Sequence, residues 1–363
     1  MHQTTESNKT LLVDGAASVT LTSGKAEVFS CPIKLNGKVV VREGKRLPFF
    51  VLERATFEVM LGANAARAEV AGNTVPASWA KPLEAIREVQ KKPIVVLVLG
   101  ERDVGKSSYC TFLTNNLIGD GCRIAVLDAD IGQSDIGPSA TVSYALTSKP
   151  VVELYDLSLE NAFFVGATSP VKSIGRIVEG LAAMKSEIQR RNVDFIVVNT
   201  DGWVTGEIAL QYKAALAKEL EPDVVLGVQQ GNELTDLITN LGQPVLTVET
   251  SQASNLRTTE NRKALREMTY ARYLKDAKLR IYPLNYVSVE MQTALPTAQT
   301  PKKDSLVGLY GSAKKFLGIG VLREVNLKRK ALKIQTAVSR KPERIVVGSI
   351  FLDDSFREIQ TDP

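Results

Sequence analysis

Eight consecutive residues constrain this chain more than any others: Gly100-Glu101-Arg102-Asp103-Val104-Gly105-Lys106-Ser107 fits the pattern GxxxxGK[ST]. A continuous aliphatic run, Ile94–Leu99, precedes it, as expected of a strand buried on both faces, and an amphipathic stretch, Tyr109–Leu117, follows it. Strand, glycine-rich turn and helix N-terminus together aim main-chain N–H groups into one cradle, where the helix adds partial positive charge. Such a cradle suits phosphate oxygens. The expected phosphate-binding set is Gly100, Asp103, Val104, Gly105, Lys106, Ser107 and Ser108. Lys106 would bridge the outer phosphates and the Ser107 hydroxyl would ligate Mg²⁺. The pattern implies a nucleoside-triphosphate site.

Aliphatic runs recur at Ile124–Leu127, Phe195–Val198, Val224–Val228 and Val245–Val248. Between them lie helical spacings such as Ile174, Ile177, Val178, Leu181, Met184 and Ile188. Alternating strands and helices predict a parallel α/β sheet over residues 83–283. Before it, short apolar runs are broken by turn signals, and Asn36-Gly37 between Pro32–Leu35 and Lys38–Val41 predicts a type I′ hairpin. After Pro283 short β-like runs return at Tyr286–Met291, Gly318–Leu322, Ala331–Ala337 and Arg344–Leu352, with a loop expected over Ala294–Asp304. The expected fold class is α/β: a P-loop NTPase parallel sheet flanked by an N-terminal β-domain (1–82) and a C-terminal β-rich domain (284–363).

Composition removes whole mechanisms. The only histidine is His2, in a polar stretch, so His-dependent triads, His-ligated zinc and His general bases are excluded. Cys31, Cys110 and Cys122 make neither a disulfide framework nor a metal cluster, which points to a reducing, cytoplasmic setting. No apolar run approaches the roughly 18–20 residues that cross a bilayer, and Met1–Thr10 lacks a signal peptide's apolar core. A soluble protein without a membrane partner is expected. The net charge of +5 permits a nucleic-acid partner without demanding one.

One strand after the phosphate loop comes Ile124-Ala125-Val126-Leu127-Asp128-Ala129-Asp130-Ile131-Gly132-Gln133. An apolar strand ending in Asp fits the Walker B role, with Asp128 holding the metal. In extended chain residues two apart share a face, so Asp130 is a second candidate. No Asn-Lys-x-Asp guanine-reading motif is present, which counts against a GTPase switch. Between Arg257 and Arg280 eight basic residues face three acidic ones. Arg257, Arg262 and Arg266 fit a cover over phosphates, where arginine spreads transition-state charge, although a solvated helix would carry the same charges.

The phosphate loop, Asp128-x-Asp130-x-Gly132-Gln133, Thr168-Ser169-Pro170, Thr200-Asp201-Gly202-Trp203 and Arg257-x4-Arg262 occur in this order, and together they resemble the Clp/Grc family of polynucleotide 5′-hydroxyl kinases. The resemblance implies transfer of the γ-phosphoryl group of ATP, with Mg²⁺, to the 5′-hydroxyl end of RNA or DNA. It implies Lys106, Asp130, Arg257 and Arg262 as catalytic residues, and Ser107 and Asp128 as metal holders. Gln133, Thr168, Ser169 and Arg266 would bind the acceptor, and Trp203 would clasp its end nucleotide. The N-terminal β-domain would help hold the adenine, with no residue assigned. A nucleotide-locked scaffold of an RNA-processing complex is the alternative function; protein partners stay open. Over Lys302–Arg344 twelve basic residues meet three acidic ones, fitting either a nucleic-acid-facing patch or a solvated basic surface.

Overall fold

The structure is a computed structural model, and it describes residues 1–119, 121–291 and 301–359. By contact density the chain divides into two compact units. The first gathers Met1–Leu127, Leu146–Ser158 and Ile188–Arg262, and the second gathers Asp128–Ala145, Leu159–Glu187 and Lys263–Pro363.

The first unit opens with a β-sheet whose longest strands are Ala17–Val28 and Arg46–Leu61, paired antiparallel. Buried and half-buried residues alternate along Ala17–Leu21, as in a sheet with one face on a core. The Asn36-Gly37 signal misled in one respect. Gly37 N–H does close a turn onto the Lys34 carbonyl at 2.8 Å, with Asn36 at φ 60°. A type I′ turn centred on Asn36-Gly37 needs positive φ at both, and of the two only Asn36 has it. The flanking strands Cys31–Pro32 and Lys38–Val41 both pair with Ala17–Val28 instead of with each other.

The α/β part of this unit orders its strands as Ile124–Asp128, Phe195–Asn199, Ile94–Gly100, Val224–Gln229 and Val245–Glu249. The last four pair in parallel, with Val98 opposite Asn199 on one side and Leu226 on the other. All seven residues of Ile94–Gly100 are buried, which explains its unbroken aliphatic run. The helix after the phosphate loop starts at Lys106, three residues before its apolar periodicity.

In the second unit Thr141–Thr147 and Leu159–Phe164 form an antiparallel pair, followed by the helix Ile174–Ile188. A six-stranded sheet runs in the order Lys278–Pro283, Ala331–Thr336, Phe316–Asn326, Ser305–Tyr310, Arg344–Phe351, Ser288–Met291. Phe164 and Tyr270 enter one core with Leu306, Tyr310 and Ile319, and the Tyr310 hydroxyl accepts the Phe164 N–H at 2.6 Å. Lys278–Pro283 therefore completes the C-terminal sheet, although its sequence follows the α/β region directly. Of the loop expected at 294–304, residues 301–304 are outside any strand and 294–300 lie outside the described residues.

Candidate functional site

The phosphate loop has the backbone that its glycines predict. Gly100 sits at φ 154°, where an added Cβ would lie 2.5 Å from the Val228 carbonyl oxygen, so the loop must leave the strand without a side chain. Asp103 (φ 62°) and Gly105 (φ 95°) place further turns of the loop in the left-handed region. Gly105 is the N-cap of Lys106–Leu117, and no side chain caps that helix. The N–H groups of a helix begun in this way point toward its N-terminus, where an anion is favoured. Lys106 is buried, with Nζ donating to the Glu101 carbonyl at 2.5 Å, so its ammonium is held over the loop. The Ser107 hydroxyl accepts from Asn199 Nδ2 at 3.4 Å. Val104 is buried and Ser108 half-buried.

Asp103 collects the two arginines singled out downstream. Its Oδ2 accepts from Arg262 Nη2 at 2.5 Å and from the Arg257 N–H at 3.1 Å, while Arg257 Nη1 lies 3.9 Å from Oδ1. The Asp103 side chain is 5% exposed and the arginines about a quarter exposed, so the ion pair is partly shielded from water. Arg266 is engaged elsewhere: Nε and Nη2 make a bidentate pair with Glu358, each at 2.6 Å.

Thr200-Asp201-Gly202-Trp203 lies beside the same loop. A Cβ on Gly202 would stand 2.5 Å from the Arg102 nitrogen and 2.7 Å from its Cα, so only glycine allows this approach. Asp201 is buried and its Oδ2 accepts from the Tyr212 hydroxyl at 2.6 Å and from Lys213 Nζ at 3.0 Å. Burial pushes its pKa up, but Lys213, Tyr212 and the Trp203 N–H outweigh it and hold the carboxyl below its ordinary range. Trp203 is half-buried, its ring 5.8 Å from that of Tyr212. The other tryptophan, Trp79, is a core residue, its indole N–H donating to the Glu249 carbonyl at 2.7 Å.

In the second unit the Asp-x-Asp run folds on its own carboxylates. Asp128, fully buried, takes the Ser134 hydroxyl at 2.9 Å and the Asp135 N–H at 2.8 Å on Oδ2, and the Asp130 N–H at 3.2 Å on Oδ1. Burial, then the charges of Asp130 and Asp135, push its pKa up to about 7. Asp130 is half-buried and its Oδ1 accepts from the Gly132 and Gln133 N–H groups at 3.1 and 2.9 Å. A Cβ on Gly132 would lie 2.9 Å from the Thr168 carbonyl, so this loop and the Thr168-Ser169 turn touch through glycine. Thr168 is half-buried and Ser169 exposed, with Gln133 Nε2 donating to the Gly132 carbonyl at 2.6 Å.

Sequence reasoning missed two features. Lys213, fully buried against Asp201, looks like an ordinary helix lysine in the chain; only its burial reveals it. Thr74 Oγ1, Gln229 Oε1 and Thr250 Oγ1 are buried polar atoms with no partner among the described residues. They are tied together by Ser251 Oγ donating to the Thr74 carbonyl and Thr250 N–H to the Gln229 carbonyl. Ser254, three residues further on, faces the Cβ position of Gly105 at 3.1 Å. Orphaned groups of this kind call for a ligand or water.

The loop fits a bound nucleoside triphosphate: a helix start without a side-chain cap, positive-φ glycines and a buried lysine lie within eight residues. No group of three or more His, Cys, Asp or Glu among the described residues could hold a metal. A Mg²⁺ bound mostly by phosphates and water, with one or two protein oxygens, needs no such group. No helix among the described residues is long and apolar enough to cross a membrane.

These features define a P-loop nucleotide-binding protein. Residues 100–276 match the model of the family described as mRNA cleavage and polyadenylation factor CLP1 P-loop, a segment of just under half of the chain. The polyribonucleotide 5′-hydroxyl-kinase of Thermococcus kodakarensis is 32% identical over 218 residues, covering 59% of this chain and 61% of that protein. That of Pyrococcus furiosus is 28% identical over 199 residues, 55% of this chain and 56% of the relative. Clp1 of Xenopus tropicalis is 28% identical over 284 residues, 73% and 64% respectively. The matched region thus spans under two thirds of each of these three relatives. A solved Clp1p chain, in a wild-type Clp1p–Pcf11p complex, superposes with TM-score 0.77 over 97% of both chains at 11% identity, which is a likeness of fold.

Proposed function

We propose that the chain is an ATP- and Mg²⁺-dependent polynucleotide 5′-hydroxyl kinase acting on RNA ends, with DNA ends as a second acceptor. The observation that carries the reading is Asp103 gathering Arg257 and Arg262 beside a phosphate loop whose Lys106 is buried over it. An enzyme that moves a phosphoryl group has use for cationic side chains stored next to the phosphates. The names of the archaeal relatives support the same activity.

Each residue then has a task. The helix amides after Gly105, with Lys106, hold the outer phosphates; Ser107 would give the metal a protein oxygen, and Asp128 would be a further candidate only by giving up its bonds from Ser134 and Asp135. Bound Mg²⁺ supplies charge neutralisation on the transferred group. Arg257 and Arg262 leave Asp103 to meet the charge that spreads over the equatorial oxygens. Asp130 orients the 5′-hydroxyl and takes its proton; a loose, metaphosphate-like transition state asks little deprotonation, so one carboxylate suffices without histidine. Gln133, Thr168 and Ser169 hold the acceptor's end and Trp203 stacks on its base, a contact worth about 1–3 kcal/mol. Arg266 serves the acceptor only by giving up Glu358. Thr74, Gln229 and Thr250 offer their orphaned polar atoms to the nucleotide base.

Incubation with ATP and a 5′-hydroxyl oligoribonucleotide tests this by mass spectrometry: one added phosphate on the acceptor is expected. Release of free phosphate with an unmodified acceptor would contradict it.

A further inference from the structure

The outer strand of the C-terminal sheet, Lys278–Pro283, borders an open pocket of about 410 Å³. Arg280 and Tyr282 line it from the strand, and Arg340 and Lys341 from the loop that follows Ala331–Thr336. Two of its polar atoms are orphans. The Tyr282 hydroxyl, on a residue 5% exposed, and Arg280 Nε are buried with no partner among the described residues. Arg280 Nε can only donate and the Tyr282 hydroxyl can donate, and Arg340 and Lys341 line the same pocket, so an anion with accepting oxygens suits both orphans. Around this polar floor the surface is apolar and open: Ile281 is 62% exposed and Tyr286 66% exposed. Lys341 Nζ stands 4.5 Å from the centre of the Tyr286 ring. A cation beside an exposed aromatic face is the pairing that holds a phosphate and its neighbouring base.

We propose that this pocket is a second binding site for single-stranded polynucleotide, Arg280, Tyr282, Arg340 and Lys341 taking a phosphodiester and Tyr286 a base. The twelve-to-three excess of basic over acidic residues across Lys302–Arg344 supplies the surrounding field. The inference rests on the polynucleotide reading above and deepens it: the acceptor strand would be held internally as well as at its end. An acidic peptide would meet the cations but would leave the Tyr286 face unused.

Binding of a fluorescent, 5′-hydroxyl oligouridylate is measured by anisotropy across a salt series, for the full chain and for the Arg340→Ala/Lys341→Ala and Tyr282→Phe variants. Loss of two phosphate contacts should weaken a strand of about 20 nucleotides about tenfold and reduce its salt slope by about 1.4. Tyr282→Phe, which keeps the ring, should weaken binding with the slope unchanged. Transfer to a trinucleotide, which has only two phosphodiesters to offer, should stay as in the parent. Equal affinity and slope in all three proteins would overturn the proposal. So would displacement of the oligonucleotide by oligoglutamate from the parent but not from the double variant. Pocket-dependent binding with no transfer in the parent would uphold the pocket and overturn the kinase reading, whereas transfer with pocket-independent binding would do the reverse.

Discussion

Arg262 Nη2 lies 2.5 Å from Oδ2 of Asp103, a residue of the phosphate loop itself held at φ 62°. The loop therefore carries its own carboxylate anchor for arginines that arrive from more than 150 positions later in the chain. A charge-assisted hydrogen bond of this kind is strong enough to hold a mobile segment, yet phosphate oxygens compete for it.

Removing that anchor separates storage from chemistry. Asp103→Asn should speed tryptic cleavage after Arg257 and Arg262 in the nucleotide-free protein, with the protection restored by nucleotide. Arg262→Ala should lower kcat by about 10³-fold with little change in ATP affinity, the scale on which an arginine facing transferred phosphate acts. Limited proteolysis and initial-rate kinetics read the two. A kcat close to the parent value in Arg262→Ala would remove it from the catalytic set.

Gly202 sets how closely Trp203's loop approaches the phosphate loop. Gly202→Ala puts a methyl within 2.5 Å of the Arg102 nitrogen, and backbone must move. About 1–3 kcal/mol of lost stability and weaker nucleotide binding are expected, measured by urea unfolding and calorimetric titration. Unchanged affinity would show that the two loops are mechanically independent.

The buried pair Asp201–Lys213 gives a stability prediction. Asp201→Asn leaves the Lys213 ammonium, fully buried, without its counter-charge, and about 3–5 kcal/mol should be lost. Lys213→Met in the same background should recover much of it. Denaturant midpoints decide, and a mild effect of Asp201→Asn alone would mean that Lys213 finds another acceptor.

Asp128 makes the stability of the nucleotide-free protein depend on pH. Its carboxyl pKa is raised from 3.8 to about 7, so the folded state holds a proton that the unfolded chain has already released. The stabilising share is complete below pH 3.8 and is lost as pH rises through about 7. Thermal melts should show this fall and its flattening in Asp128→Asn. A slope equal in both proteins would contradict the shift.

Much of this architecture was legible because buried parallel strands and glycine turns write themselves locally. Ile94–Leu99 and Ile124–Leu127 each extend by one residue in the structure, and the helix at Ile174–Ile188 has the limits its periodicity predicts. What depended on pairing did not show. Asn36-Gly37 specifies a reversal but not which strands then pair, and Cys31–Pro32 and Lys38–Val41 both choose Ala17–Val28. Lys278–Pro283 reads as the end of an α/β region, since nothing in six residues says that Ala331–Thr336 will be its neighbour. At the site, Lys106 and Ser107 are marked by spacing, whereas the attachment of Arg262 to Asp103, the engagement of Arg266 by Glu358 and the burial of Lys213 are long-range facts that no local pattern records.

The most direct test follows the label from γ-labelled ATP onto a 5′-hydroxyl oligoribonucleotide, comparing the parent with Lys106→Ala and with an acceptor already bearing a 5′-phosphate. A kinase built on this loop labels the hydroxyl-ended strand alone, with the signal lowered at least about 100-fold in Lys106→Ala while the variant melts as the parent does. Equal labelling by Lys106→Ala, or none by a parent protein that binds ATP and the strand, would contradict it.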